Sequence, residues 1–429
     1  MMTTTQFQGW RVLAAATVGL ACGIATVVPA SFGVFLGPLR AEFGWTQSET
    51  FTALLFITFT SALLAAPVGG LVDRYGARRV VLAGFCFQIL LLASFAWLGP
   101  SLWAYYLRYF LLAVLALGTT HVAFARVITL WFDRRRGLAL GIALSGVGIG
   151  GFLWPLYAQA MIGQFGWRNA WLLLALGVAA LALPTIALLL RDSPAAVGQT
   201  PDGDAPRVAG PDAGAAARGA PAEATGIPLS GVVRMPRYWL MVATFFLIGF
   251  AVQSVMLHLV PLLTARGLSP MLAALAQSLL FVAVTTGRLV TGWLMDRFFA
   301  PRVALAFLIA PIVGITLLSL GASGATALVA ALLVGLAVGA EVDVLAYLTS
   351  RYFGARHFSA IYGTFYGIYT LSGGLGPLFT ARLVDTGEGY PVALAVHAAL
   401  LAVAALLLLR FPPLPTPPAM TAAMAEVRR

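Results

Sequence analysis

Long apolar stretches separated by short polar breaks run through most of the chain. Twelve of them hold about 20 or more residues, enough for a helix to cross a hydrocarbon core about 30 Å thick. These segments, numbered 1 to 12, are residues 10–36, 50–70, 79–98, 103–131, 137–161, 168–190, 238–262, 271–295, 301–321, 325–349, 359–384 and 390–410. The pattern therefore predicts an all-α membrane protein with twelve transmembrane helices.

A long polar stretch divides the segments into two sets of six. Residues 191–237 are rich in Pro, Gly, Ala and Asp, with too little apolar surface to offset the entropy of ordering them. We therefore predict an N-terminal bundle, a flexible cytoplasmic linker, a C-terminal bundle and a cytoplasmic tail. Their predicted ranges are 1–190, 191–237, 238–410 and 411–429.

Motifs repeated between the two sets relate one bundle to the other. Gly69–Arg74 (GGLVDR) recurs as Gly292–Arg297 (GWLMDR), each after the second segment of its set. Gly118, Trp131, Gly141 and Pro155 correspond in order to Gly339, Tyr352, Gly363 and Pro377. Both matches run in the same direction, so we expect two pseudo-symmetric bundles with a cavity between them near the membrane midplane.

Composition and charge agree with a bilayer environment. Hydrophobic residues make up 60% of the chain and charged residues 10%, and the mean hydropathy is +0.93. The 26 basic residues are all arginine and lie in short scattered clusters, which does not indicate nucleic-acid binding. If both termini are cytoplasmic, the opposite side holds only Arg40, Arg168, Arg266 and Arg382. The positive-inside rule thus predicts cytoplasmic termini in a multi-pass cell-membrane protein, here assigned to a bacterial inner membrane.

Several kinds of chemistry find no support in the sequence. Cys22 and Cys86 both lie within apolar segments, so neither a disulfide framework nor a metal site with recognisable spacing is predicted. No nucleophile paired with a base and no phosphate-binding loop of the Walker type occurs. We therefore expect neither an enzyme nor a cofactor.

Local motifs resemble a known family. The twelve helices, the long middle loop and Gly70–Arg79 (GLVDRYGARR) resemble the major facilitator superfamily. Phe32–Phe35 (FGVF), Glu42–Thr46 (EFGWT) and Arg288, four residues before Gly292, look like its monocarboxylate porter and oxalate/formate exchanger branch. This resemblance implies transport of small organic anions, often with a proton, and an anion-binding arginine in segment 8.

Charged residues inside predicted helices are the main site candidates. Such a charge costs roughly 2.5 to 3.5 kcal/mol at the helix centre, so it persists where it faces a cavity or a partner. Arg288 can hold a carboxylate through two hydrogen bonds, or form an ion pair, or reach the cytoplasmic interface. Glu341 and Asp343 on segment 10 point about 200° apart, so only one of them faces a given cavity. We expect one to couple transport to a proton, with a permanent salt bridge to Arg126 or Arg288 as the alternative.

Further candidates lie in segments 4, 7 and 11. Arg126 either pairs with a segment 10 carboxylate or contacts the substrate. His121, as a proton-coupling group, and His258, as a substrate ligand, are candidates because histidine changes charge near neutral pH, although a packing role is the common one. An aromatic stripe on segment 11 either contacts the solute, through Tyr366, or packs in the core. Its members are Tyr362, Tyr366 and Tyr369.

The repeated loop motifs indicate gates. A carboxylate after segment 2 and another after segment 8 can accept hydrogen bonds from a neighbouring helix start and hold the cytoplasmic side closed. The alternative is that these loops only set the topology. The predicted cytoplasmic gate comprises Asp73, Arg74, Arg78, Asp296 and Arg297.

Together these features predict a monomeric secondary transporter of a small organic anion, most simply a monocarboxylate, coupled to protons and working by alternating access. Its partners are the anion, the proton and the lipid bilayer. A proton-driven exporter of hydrophobic or cationic compounds is an alternative, in which the carboxylates bind cargo. A membrane solute sensor is another, although no output domain is recognisable.

Overall fold

The fold is helical throughout the described part of the chain. The structure is a computed structural model that describes residues 7–132, 135–203, 227–295, 297–354 and 358–413, and these contain no β-strand. The first helices are α1 Gly9–Cys22, α2 Ile24–Phe43, α3 Gln47–Tyr75, α4 Ala77–Ser94, α5 Leu102–Leu115, α6 His121–Trp131 and α7 Arg136–Leu189. The others are α8 Leu229–Val232, α9 Pro236–Ala265, α10 Pro270–Met295, α11 Ala300–Ser319, α12 Gly324–Phe353, α13 Phe358–Asp385 and α14 Gly389–Leu409.

These helices supply twelve membrane passes. Eight described stretches are long and apolar enough to cross a bilayer. One of them, Leu138–Leu189, holds two passes, because Gly166 has a φ of +77° and interrupts α7. The remaining three passes are α3, α5 together with α6, and α13. The predicted all-α membrane fold with two six-helix bundles is confirmed.

The boundaries of the bundles, linker and tail stay predictions, since residues 204–226 and 414–429 lie outside the described part of the chain. Both described ends of the linker contact the bundles. The Asp192 carboxylate accepts the backbone N–H of Arg78 at 2.8 Å, and the N–H of Ile227 donates to the Phe353 carbonyl at 3.0 Å. These contacts lie on one side of the membrane, which we call the linker side. We call the opposite side of the membrane the far side.

Segments 1 and 4 are each broken near their middle, and the two breaks meet. Segment 1 is interrupted at Gly23, between α1 and α2, and segment 4 between α5 and α6. The Thr119 hydroxyl accepts the N–H of Ile24 at 3.1 Å and lies 2.9 Å from the side-chain oxygen of Gln88. Gln88 in turn donates to the Cys22 carbonyl at 2.8 Å. Backbone released from a helix inside a membrane must be satisfied within the protein, and these side chains do so.

The two bundles touch towards the far side. On α13, a Cβ atom at Gly374 would lie 2.9 Å from the Leu55 side chain of α3. The Ser278 hydroxyl of α10 donates to the Phe152 carbonyl of α7 at 2.7 Å. A Cβ atom at Gly33 of α2 would lie 3.1 Å from Val260 of α9. Three helix pairs therefore close the far side.

Towards the linker side, the facing surfaces of the two bundles are no longer in contact. Gly367 and Gly363 lie about two and three turns from Gly374 on one face of α13, and a Cβ atom at either would meet nothing within 4 Å. On α7, a Cβ atom at Gly148 would contact Thr285 of α10, whereas one at Gly141, two turns nearer the linker side, would meet nothing within 4 Å. The cavity between the bundles is therefore open to the linker side.

Candidate functional site

An ion pair between α10 and α12 lies beside this cavity. The two helices approach closely because α12 carries glycine at Gly335 and Gly339, where Cβ atoms would lie 2.8 Å from Ala283 and from the Arg288 backbone nitrogen. Asp343, one turn after Gly339, is thereby brought to Arg288, with 3.2 Å between Oδ2 and Nε. The two side chains remain 37% and 29% exposed. Both side chains therefore keep part of their surface outside the contact with each other.

Glu341 lies on a different face of α12. Its side chain is 4% exposed and interacts with the side chain of Tyr369. It borders a cavity of about 20 Å³, roughly the space of one water molecule. The other lining residues are Phe245, Ile248, Ala304, Phe307, Leu308, Ala337 and Val344. Glu341 thus faces α9 and α11 inside its own bundle, while Asp343 faces Arg288.

The tyrosine stripe of α13 borders the same ion pair. The ring centroids of Tyr362 and Tyr366 are 5.9 Å apart, and those of Tyr366 and Tyr369 are 6.3 Å apart. Arg288 is close enough to interact electrostatically with Tyr362 and Tyr366. Tyr369 is 7% exposed, and its hydroxyl accepts the Gln253 amide at 2.8 Å. The stripe therefore runs from the cavity into the bundle.

His121 and Arg126 come from the opposite bundle. His121 is the first residue of α6, is exposed, and interacts electrostatically with Arg288. It therefore faces the cavity from the N-terminal side. Arg126 donates to the Val72 carbonyl at 3.1 Å within its own bundle. Of the two arginines considered as partners of a segment 10 carboxylate, Arg288 forms the ion pair with Asp343 in this conformation.

His258 lies elsewhere, at the far-side contact between the bundles. Its Nδ1 accepts the Gln47 amide at 2.8 Å, and its Nε2 lies 2.8 Å from the Pro377 carbonyl. The ring stacks on Phe51 with 3.9 Å between centroids and is 2% exposed. This placement differs from the predicted substrate contact, because both ring nitrogens are occupied and no open surface remains.

Asp385 completes this contact and was not among the predicted residues. Its carboxylate accepts the N–H of Gln47 at 2.9 Å and that of Ser48 at 2.7 Å, so α13 caps the start of α3 across the two bundles. The capping box of Thr46 and Glu49 marks the start of α3 from sequence alone. The capping box does not indicate that Asp385, 338 positions later in the chain, contacts Gln47.

The predicted gate residues are described only in part. Asp296 and the side chain of Asp73 lie outside the described residues. Arg74 lies 5.4 Å from the Tyr75 ring centroid and Arg297 lies 3.9 Å from that of Trp293, both exposed at the linker side. In the described structure, the start of α4 is capped by Asp192, which accepts the N–H of Arg78.

Comparisons with known proteins agree with this architecture. The family model for the Major Facilitator Superfamily matches residues 12–377. The chain is similar to monocarboxylate transporter 11 of Mus musculus, with 29% identity over 394 residues, 89% of this chain and 82% of that protein. Its identity to monocarboxylate transporter 13 of Bos taurus is 28% over 398 residues, 92% of this chain and 87% of the relative.

Solved structures show the same fold. A bacterial homologue of the human lysosomal transporter Spinster, in an inward-facing and occupied conformation, superposes with a TM-score of 0.66 at 16% identity, covering 98% of this chain and 97% of that one. The nucleoside transporter NupG, as a mutant, superposes with a TM-score of 0.73 at 11% identity, covering 94% and 99%. At these identities the likeness concerns the fold alone.

Proposed function

This chain belongs to the Major Facilitator Superfamily and is a membrane transporter rather than an enzyme, and on that premise we propose that it carries a small organic anion, a monocarboxylate, by alternating access. The observation that carries the proposal is the partly exposed ion pair of Arg288 and Asp343 beside the cavity. The relatives named above are monocarboxylate transporters, which supports the same substrate class.

Arg288 suits a carboxylate for geometric and electrostatic reasons. Its planar guanidinium can donate two parallel hydrogen bonds to one carboxylate. The start of α6 faces the same space through His121, and the N-terminal end of a helix favours negative charge. A substrate carboxylate would replace Asp343 on Arg288, so the site keeps a partner for the cation whether empty or loaded.

Alternating access is supported by the uneven contact between the bundles. The far side is closed through α3 with α13, α7 with α10 and α2 with α9, whereas Gly141 and Gly363 border open space towards the linker side. Rocking of one bundle against the other would close the linker side and open the far side around a central site.

We propose that Asp343 is the group that couples transport to protons. When a substrate replaces Asp343 on Arg288, the Asp343 carboxylate loses the cation that stabilises its charged form. The Asp343 carboxylate then binds a proton more readily. Substrate and proton are then loaded together, and the anion leaves when Asp343 is deprotonated and returns to Arg288. His121 lies within electrostatic reach of Arg288 and is the second protonatable group at the cavity.

Orientation and assembly are also proposed. The arginine bias places both termini in the cytoplasm, with the linker side as the cytoplasmic side. We propose a monomer, since each chain holds both bundles and the whole cavity. The relatives named above come from animals, so they lend no support to the bacterial inner membrane, which stays a prediction.

The test is uptake of labelled pyruvate and lactate into proteoliposomes that hold the full chain. We expect Arg288→Ala to lower uptake at least tenfold and Arg288→Lys to restore part of it. Arg108→Ala is the matched control, because Arg108 is also an arginine within a membrane helix but donates to the carbonyls of Ser94 and Ala104. Wild-type uptake with Arg288→Ala would refute the proposal.

A further inference from the structure

The three tyrosines of α13 form a ladder of nearly parallel rings. The planes of Tyr362 and Tyr366 differ by 27°, and those of Tyr366 and Tyr369 by 32°. Centroid separations of 5.9 and 6.3 Å fall within the range of favourable aromatic pairs. The ladder is buried at Tyr369 but only half-buried at Tyr362 and Tyr366. Part of the surface of Tyr366 therefore remains exposed.

The ladder lies within electrostatic range of a cation. Arg288 interacts electrostatically with both Tyr362 and Tyr366, and Asp343 interacts with Tyr362. An anion held by Arg288 therefore lies beside the ladder.

Open space adjoins the ladder on the next face of α13, about 100° around the helix. Gly363 and Gly367 each follow a ladder tyrosine in the chain, and a Cβ atom at either position would meet nothing within 4 Å. The two glycines thus leave the ladder accessible from the cavity.

From these three observations we propose that the preferred substrate is an aromatic carboxylate, whose ring packs against Tyr366 and Tyr362 while its carboxylate binds Arg288. The inference rests on the proposed function and narrows its substrate class. An aromatic contact adds about two- to tenfold to affinity beyond the effect of area alone. A short aliphatic acid reaches the same arginine but leaves the rings uncovered.

Pyruvate, phenylpyruvate and 3-cyclohexylpyruvate carry the same charge and separate size from aromaticity in one experiment. Uptake of each is measured in proteoliposomes holding the full chain, for the wild type, Tyr366→Phe and Tyr366→Leu. We expect the wild-type KM to be two- to tenfold lower for phenylpyruvate than for the other two acids. Tyr366→Phe keeps this difference because the ring is retained, whereas Tyr366→Leu raises the KM for phenylpyruvate to that for 3-cyclohexylpyruvate.

Other outcomes overturn the inference in distinguishable ways. Uptake of pyruvate without a preference for phenylpyruvate refutes the aromatic class and leaves the proposed function intact. Equal KM values for the phenyl and cyclohexyl acids show that size alone is recognised, which also refutes it. Uptake of none of the three acids refutes the proposed function itself. If Tyr366→Leu lowers the melting temperature of the purified protein, Tyr362→Leu takes its place with the same expected result.

Discussion

Asp343 approaches Arg288 to 3.2 Å from the neighbouring helix, yet both side chains remain partly exposed to the cavity. Partly exposed ion pairs contribute little to stability, commonly about 0 to 1 kcal/mol. Opening this pair therefore costs little when another carboxylate takes its place. The cost would be far higher for a fully buried pair, because the abandoned charge would have no solvent.

Neutralising Asp343 is expected to separate substrate binding from proton coupling. In Asp343→Asn no internal carboxylate competes for Arg288, so the KM for the anion falls by up to about fivefold, in proportion to the lost competition. Exchange of internal for external substrate continues, whereas accumulation driven by a pH gradient is lost. Counterflow and gradient-driven uptake in the same proteoliposomes measure the two effects. Asp343→Glu is the control that keeps the charge, and undiminished accumulation by Asp343→Asn would contradict the coupling role.

Glu341 is expected to respond differently from Asp343. Its carboxyl faces an apolar cavity and interacts with Tyr369, whose hydroxyl also accepts the Gln253 amide. Glu341→Leu therefore removes a buried polar group at similar volume and leaves Tyr369 with a hydrogen-bond partner. We expect the free energy of unfolding to change by no more than about 1 kcal/mol, seen as a similar melting temperature in detergent, with transport largely retained. Loss of gradient-driven uptake in this variant would instead assign proton coupling to Glu341.

The far-side contact is expected to depend on Asp385. Its carboxylate accepts two backbone N–H groups of α3 from the other bundle, and hydrogen bonds to a charged group are worth about 1.5 to 3 kcal/mol each. Asp385→Asn should therefore shift the population towards a state opened on the far side. Asp192→Asn is a matched control, because Asp192 caps α4 within a single bundle.

Spin labels on the far side measure this shift. Gln164→Cys on α7 and Ser323→Cys before α12 are exposed and belong to different bundles, in a background of Cys22→Ala and Cys86→Ser. The distance between the labels should lengthen in Asp385→Asn and remain unchanged in Asp192→Asn. An identical distance distribution in both variants would show that Asp385 does not hold the far side closed.

Bulky residues in the linker-side cleft are expected to block the transport cycle. Gly141→Trp and Gly363→Trp fit the present conformation, since a Cβ atom at either position has open space around it, but they obstruct closure of the bundles. Uptake should fall at least tenfold while the melting temperature changes little. Gly163→Trp is the control, because Gly163 also has open space but lies near the far-side break at Gly166. Normal uptake by both cleft variants would argue against linker-side closure.

The sequence by itself determined the number of membrane passes and the class of fold. The length of each apolar stretch decides whether a helix crosses the bilayer, and this property is local. Helical periodicity likewise placed Tyr362, Tyr366 and Tyr369 in one stripe, and it separated Glu341 from Asp343. The cost of a charge in the membrane singled out Arg288 as a site candidate before any contact was known.

Only the tertiary structure decided which of these residues meet. The rotation of α12 about its axis depends on the close approach of Gly335 and Gly339 to α10. This contact places Asp343, rather than Glu341, next to Arg288. Contacts between distant helices also placed His258 at the far-side closure and brought Asp385 to the start of α3. Periodicity defines the faces of a helix, but the neighbour of each face is set by packing between segments far apart in the chain.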